Sequence, residues 1–392
     1  MVPQPISVVS PAPSRAARAL MPLVLFCAGH FIVDLYSSAL GTLQPLLGER
    51  FGLSFTQAGL LGGMLVFSSS TLQPIYGYLS DRYHSRLFAA LAPGVTGLFI
   101  AALGWAPGFG WLLAGVFLGG AGIASFHPQG ASNAVAGVTA NRGRAMSVFI
   151  CSGSLGLACG PLFFSAVAGG GLARLPWTAI PGLLLTAVLL ALMPAPAVRA
   201  HTRRGFDWEP LRAVWKPMTI LFFLVFIRSV VQITFSQFLP LFLHTTRGYT
   251  VGAASLSLTL YLLGGTLGGL AGGALADRFG GRFVIIVSMG GAVPFLMLFL
   301  FARGPLSAVG LFLCGLMLLF TIPVNVVMAQ ELVPTQAGTV SALMMGFAWG
   351  TAGMIFIPLV GWFADLVSMQ AAFAALLVFP VIGFLLALRL PR

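Results

Sequence analysis

The chain has 392 residues, of which 58% are hydrophobic and only 7% charged, against about 25% charged in a soluble globular domain. So few charges exclude a water-facing exterior, and the net charge of +12 does not point to nucleic acid, because the basic residues are dispersed among short loops. Cys27, Cys151, Cys159 and Cys314 all lie inside apolar runs, which excludes a disulfide framework or a cysteine metal site and leaves them as small buried hydrophobes.

Only helices and closed barrels satisfy their backbone in hydrocarbon. A barrel strand alternates polar and apolar residues over about ten positions, whereas these apolar runs have the length of about 20 residues that a helix needs to cross a bilayer. The pattern predicts an all-α polytopic membrane protein with twelve transmembrane helices, at 20–47, 54–79, 87–106, 109–133, 143–168, 174–194, 218–244, 251–276, 283–303, 306–330, 336–363 and 370–388. The first run is too long for a signal peptide and is taken as span one.

Span one carries His30, Asp34, Ser37, Gly41 and Gln44 at steps of four, three, four and three, which places them on one helical face. A polar stripe of this kind should face a cavity rather than lipid, with Asp34 carrying a proton or touching substrate; the alternative is an acid held purely for structure. Span four carries His127 and Gln129 around Pro128. His127 is either a proton-relay group or a neutral histidine bonded inside the bundle, and the proline leaves its face undetermined.

The segment between spans six and seven is the longest loop and is rich in arginine: Arg199, Arg203, Arg204, Arg212 and Lys216 stand there with Asp207 and Glu209. It divides the chain into a first six-helix bundle at 1–195, a linker at 196–217 and a second bundle at 218–392. Span seven holds Arg228 and, one turn on, Gln232; the arginine could grip an anionic group bidentately or pair with Asp34. The paired glycines of span eight are read as close helix contacts, not a phosphate loop. Gln330 and Glu331 close span ten, where Glu331 is either a proton-entry acid or a solvated helix end.

Orientation follows from the basic residues. With the N-terminus inside, fifteen of the twenty Lys and Arg fall on inside segments, four (Arg50, Arg174, Arg247, Arg303) fall outside, and Arg228 lies within a span. Both termini are therefore expected in the cytoplasm. An internal repeat is also present: Gly77-Tyr-Leu-Ser-Asp81-Arg82 with Arg86 recurs as Gly273-Ala-Leu-Ala-Asp277-Arg278 with Arg282, at an offset of 196 residues. Pro45 and Pro240 match at an offset of 195. Duplication predicts two pseudo-symmetric six-helix bundles with a substrate site near the midplane between them. Asp81 and Asp277 sit at helix C-termini, where the dipole disfavours a negative charge. They need partners, and with Arg82, Arg86, Arg278 and Arg282 they are expected to latch the halves when these close on the cytoplasmic side.

The repeated G-x-L-x-D-R-x-x-x-R loop, in register after spans two and eight, resembles the signature of the major facilitator superfamily. His30-Phe31 with Asp34, Gln73-Pro74 with Gly77-Tyr78, Phe126-His127-Pro128, Ala329 to Pro334 and Gly346-Phe347-Ala348 with Gly350 are similar to the fosmidomycin-resistance family of exporters. Two features depart from that pattern. Gln129 stands where the family looks to have an acid, and the antiporter Gly-Pro motif of span five is partial, with Gly156, Gly160 and Pro161 present but Phe163-Phe164 where small residues belong. The resemblance implies alternating access, export of a small drug-like or anionic solute driven by the proton gradient, a bacterial inner membrane, and a monomer with no cofactor. A proton-coupled uptake symporter is the nearest rival. A membrane-embedded enzyme would need a catalytic constellation such as HExxH or GxSxG, and neither occurs; a channel would need a filter loop or charged ring.

Overall fold

The structure, a computed structural model, describes residues 15–136, 138, 142–193 and 209–391. The described elements are helices only. Eleven are long and apolar enough to cross a membrane: Leu20–Phe51, Leu87–Trp105, Phe109–Asn133, Gly143–Ala168, Leu172–Leu192, Trp215–Arg247, Val251–Phe279, Gly281–Phe301, Pro305–Leu332, Thr339–Leu366 and Met369–Ala387. These are spans one and three to twelve. Span two completes the twelve as two shorter helices, Phe55–Thr71 and Gln73–Tyr83, that meet at Leu72. Pro74 lies in the first turn of the second piece, where its missing N–H and its steric pressure on Gln73 stop one continuous helix.

Span one is also jointed: Arg15–Ser37 gives way at Ser38 to Ala39–Phe51. Span eleven contains a π-turn over Ala342–Phe347, a local widening that often accompanies function. The linker expected at 196–217 is described only from Glu209; Glu209–Ala213 is a short helix, and span seven begins at Trp215, three residues earlier than the sequence suggested. Arg199, Arg203, Arg204 and Asp207 lie outside the described residues.

Two apolar cores match the two bundles. One gathers buried side chains from Leu23 to Met193; the other runs from Met218 to Leu390 and takes in Ala58, Val66 and Ala158 from the first half. Those three mark the seam. Between spans two and eleven the helices approach so closely that a Cβ on Gly361 would collide with the Phe55 carbonyl oxygen, and one on Gly41 would collide with that of Ser236 in span seven. Small residues at these crossings permit backbone contact that side chains would forbid, the usual means of helix association in lipid.

The candidate proton and substrate cavity

In the first half, three expected residues converge. His30 and Asp34 are one turn apart, with His30 Nε2 3.3 Å from Asp34 Oδ2. His127 Nε2, from span four, is 3.5 Å from Asp34 Oδ1. Pro128 lies inside the helix Phe109–Asn133, and the contact with Asp34 gives the face of His127 that the sequence left open. His30 Nδ1 lies 2.8 Å from the carbonyl oxygen of Phe149 in span five. The ring stacks on Phe149 with centroids 4.3 Å apart and meets His127 edge-on at 5.3 Å. Opposite the pair, a Cβ on Gly153 would collide with His30 Nε2 and fall 2.6 Å from Asp34 Oδ2, so the absent side chain is what makes room for them.

This arrangement dictates proton content. A carbonyl can only accept, so His30 Nδ1 must carry hydrogen. In a neutral imidazole the other nitrogen is then a bare lone pair, and here it faces a carboxylate. The contact becomes attractive once one more proton sits on Nε2 or on Asp34. The three side chains place possible ligand atoms within 4.8 Å of one another, a spacing a divalent cation could also use, but their mutual contacts already form a closed proton-sharing set.

In the second half, Arg228 is 5% exposed. Its Nη1 donates to Gln232 Oε1, and its guanidinium carbon lies 5.6 Å from the ring centroid of Trp349 in span eleven. Nε has no partner. The expected pairing with Asp34 is not formed; among the described residues no carboxylate stands within ion-pair distance of Arg228. Asp34 is instead held by two histidines of its own half.

Other expected residues have local partners. Gln44 is buried and donates to the Ala58 carbonyl at 3.2 Å, across to span two. Gln330 donates to Ser341 Oγ at 2.6 Å, and Glu331 is exposed at its helix end. Gln129 donates to the Ser85 carbonyl at 2.6 Å and to Ser80 Oγ, and accepts from the Ala89 amide at 3.1 Å. It needs both a donor and an acceptor there, which an ionised acid cannot supply.

The repeated arginines act within their own halves. Arg86 donates to the carbonyl of Met193, at the end of span six, and Arg282 donates to that of Leu388, at the end of span twelve, at 2.8 Å. Arg82 donates to Tyr78 at 2.9 Å, Arg278 lies over Phe279, and Asp277 is exposed. The side chain of Asp81 lies outside the described set.

The opposite, arginine-poor end is tied. Asp365, at the C-terminus of span eleven, accepts from the backbone N–H of Phe55 and of Thr56, each at 2.8 Å, and from Thr56 Oγ1 at 2.5 Å. It thus caps the first turn of span two from the other half, where the helix dipole favours an anion. Glu49 Oε1 meets His244 Nε2 at 2.8 Å, between positions 195 residues apart. Midway along, Thr259 donates to the Ala158 carbonyl at 2.9 Å. Asp365, Gly153 and the Phe149 carbonyl were missed in sequence. Asp365 falls just beyond an expected span end, and a backbone acceptor leaves no residue signature; only the small-residue spacing of Gly153, Gly156 and Gly160 could have drawn attention to that face.

Twelve spans in two duplicated bundles, with ionisable side chains buried inside each, are the architecture of a secondary transporter. The model of the Major Facilitator Superfamily matches residues 26–357 and 253–392, and the chain belongs to that superfamily. It is 28% identical over 392 residues to the fosmidomycin resistance protein of Escherichia coli K12, covering 98% of this chain and 96% of that one. It is 31% identical over 376 residues to the MFS-type transporter YfnC of Bacillus subtilis, covering 93% and 91%. Among solved structures, a point mutant of the nucleoside transporter NupG superposes with a TM-score of 0.79 at 14% identity, covering 95% of this chain and 100% of that one. A bacterial homologue of the human lysosomal transporter Spinster, in an inward-facing and occupied conformation, gives 0.79 at 15% identity, covering 97% of each. The family and these neighbours are transporters, not enzymes.

Proposed function

We propose that this transporter is a proton-coupled exporter of a small solute, working by alternating access in a bacterial inner membrane with both termini in the cytoplasm. The observation that carries the reading is the His30 contact pair: Nδ1 on the Phe149 carbonyl and Nε2 on Asp34. The set is cohesive with an extra proton and repulsive without it. Loading and losing that proton therefore biases the packing of spans one, four and five differently, which coupling requires. A ligand or proton shifts a conformational equilibrium only by its differential interaction with the two states, and the lone pair facing a carboxylate supplies such a difference.

The ties at the arginine-poor end correspond to a conformer open to the cytoplasm, given the arginine asymmetry of the loops. His127 is the acceptor that lets the proton leave Asp34 on the other side of the cluster. Asp81 and Asp277, with their arginines, close the cytoplasmic end in the opposite state. Export is favoured over uptake by the similarity to a protein named for fosmidomycin resistance.

The test uses vesicles of purified protein with an imposed pH gradient, with fosmidomycin as the transported probe, beside a susceptibility panel on expressing cells. Asp34→Asn imitates the protonated acid permanently. It should abolish gradient-driven accumulation while retaining exchange between equal compartments. Undiminished accumulation by this variant would remove Asp34 from the proton path.

A further inference from the structure

The second half contains a buried charge that no carboxylate among the described residues balances. Arg228 is almost wholly buried, and a guanidinium in such a place is costly unless an anion accompanies it. Its neighbours saturate only part of it. Nη1 is occupied by Gln232 Oε1, and the Trp349 ring centroid lies 5.6 Å from the guanidinium carbon. On the side-on edge Nε is buried with no hydrogen-bond partner, and among the described residues no hydrogen bond leaves Nη2, so a ligand reaches this edge only once the surrounding side chains give way. Other polar groups of this half are likewise buried without partners: the Tyr261 hydroxyl and both side-chain polar atoms of Asn325.

The side-on edge of a guanidinium presents two parallel N–H groups, the fork that takes two oxygens of one carboxylate, phosphate or phosphonate. Trp349 stands within cation–π range of the guanidinium, and Gln232 holds the far nitrogen, so the head group is tethered before any ligand arrives. We propose that this edge is the recognition site for the exported solute, that the solute is an anion with at least two oxygens on one carbon or phosphorus, and that it stands in as the missing counter-ion of Arg228. This rests on the transport reading above but needs no gradient to be observed.

The division of labour has a chemical consequence. The proton set lies wholly in spans one, four and five, and the anion site in spans seven and eleven, so each ligand engages a different half. The coupling between them passes through the seam rather than through competition for one residue.

Binding is read as ligand-dependent thermal stabilisation of purified full-length protein, with fosmidomycin as the phosphonate probe, propionate as the carboxylate probe, and the uncharged phosphonate diester of fosmidomycin as control. The anions should stabilise and the diester should not. Arg228→Lys keeps the charge but loses the fork, and should weaken anion binding by about tenfold or more. Gln232→Glu places an acid beside Arg228. It should raise the melting temperature of the unliganded protein and remove anion stabilisation, a pairing of effects that misfolding cannot produce. Lys216→Gln, an exposed charge removal at the start of the same helix, should change neither. Equal stabilisation by the diester, or wild-type anion binding in Gln232→Glu, would overturn the proposal. Loss of proton coupling with anion binding intact would instead refute the proton reading alone.

Discussion

Replacing Asp365 by alanine removes three hydrogen bonds that cross between the halves: two from the backbone amides of Phe55 and Thr56 and one from the Thr56 hydroxyl. Ser54 and Gln57 form a capping box at the same helix start, so the helix itself survives and the loss falls on the inter-half tie. A capping side chain is worth about 1 kcal/mol, and a charge at a helix N-terminus adds about 0.3–1 kcal/mol. Asp365 is exposed, and solvent screening holds the total to about 1–2 kcal/mol. That energy favours the conformer closed at the arginine-poor end, so its removal should raise the population of the opposite conformer about 5- to 30-fold. Spin labels at Gly110→Cys and Leu306→Cys, exposed in the first turns of spans four and ten at this end of different halves, would report the change by pulsed electron resonance in a background lacking the four native cysteines. The long-distance component should grow in Asp365→Ala and grow less in Asp365→Asn, which keeps an acceptor but loses the charge. An unchanged distance distribution in Asp365→Ala would refute the tie.

Gly153→Ala should lower gradient-driven transport at least about tenfold, because a Cβ there runs into both His30 and Asp34 and the stacked His30 ring has little room to yield; the check is flux against pH, which should change in shape and not only in height. Gln129→Glu should destabilise the protein by about 1–3 kcal/mol, since the donor to Ser85 and Ser80 disappears and a buried acceptor pair remains; a melting temperature equal to wild type would show that the amide is not a structural bond.

The spans and their duplication were legible because each rests on long periodic runs and on a motif repeated at fixed spacing. His30 and Asp34 were legible as partners for the same reason, being one helical turn apart. What joined them was not. Phe149 contributes a backbone oxygen, Gly153 contributes empty volume, and His127 arrives from a helix whose proline left its face open in the sequence. The expected pairing of Arg228 with Asp34 followed from similar depth along two helices, but depth does not fix azimuth; the guanidinium turned to Gln232 and Trp349 within its own half. Gln129 looked like a departure from a proton pathway and is a bracket for the loop beside it. Asp365 was invisible because its partners lie 309 and 310 residues away.

Arg86 and Arg282 hold the final carbonyls of spans six and twelve in the same way in each half. Each arginine thereby ties the loop after the second helix of its bundle to the bundle's last helix, closing a brace around the arginine-rich end. A bundle braced in this way turns as a lever and not as a set of separate rods. In the alternating access proposed above, force applied to the loop as the halves meet would be delivered at the far end, where Asp365 would have to let go of span two. The brace is also what lets a joint in span one at Ser38 and another in span two at Leu72 absorb local bending without spreading slack through the whole half.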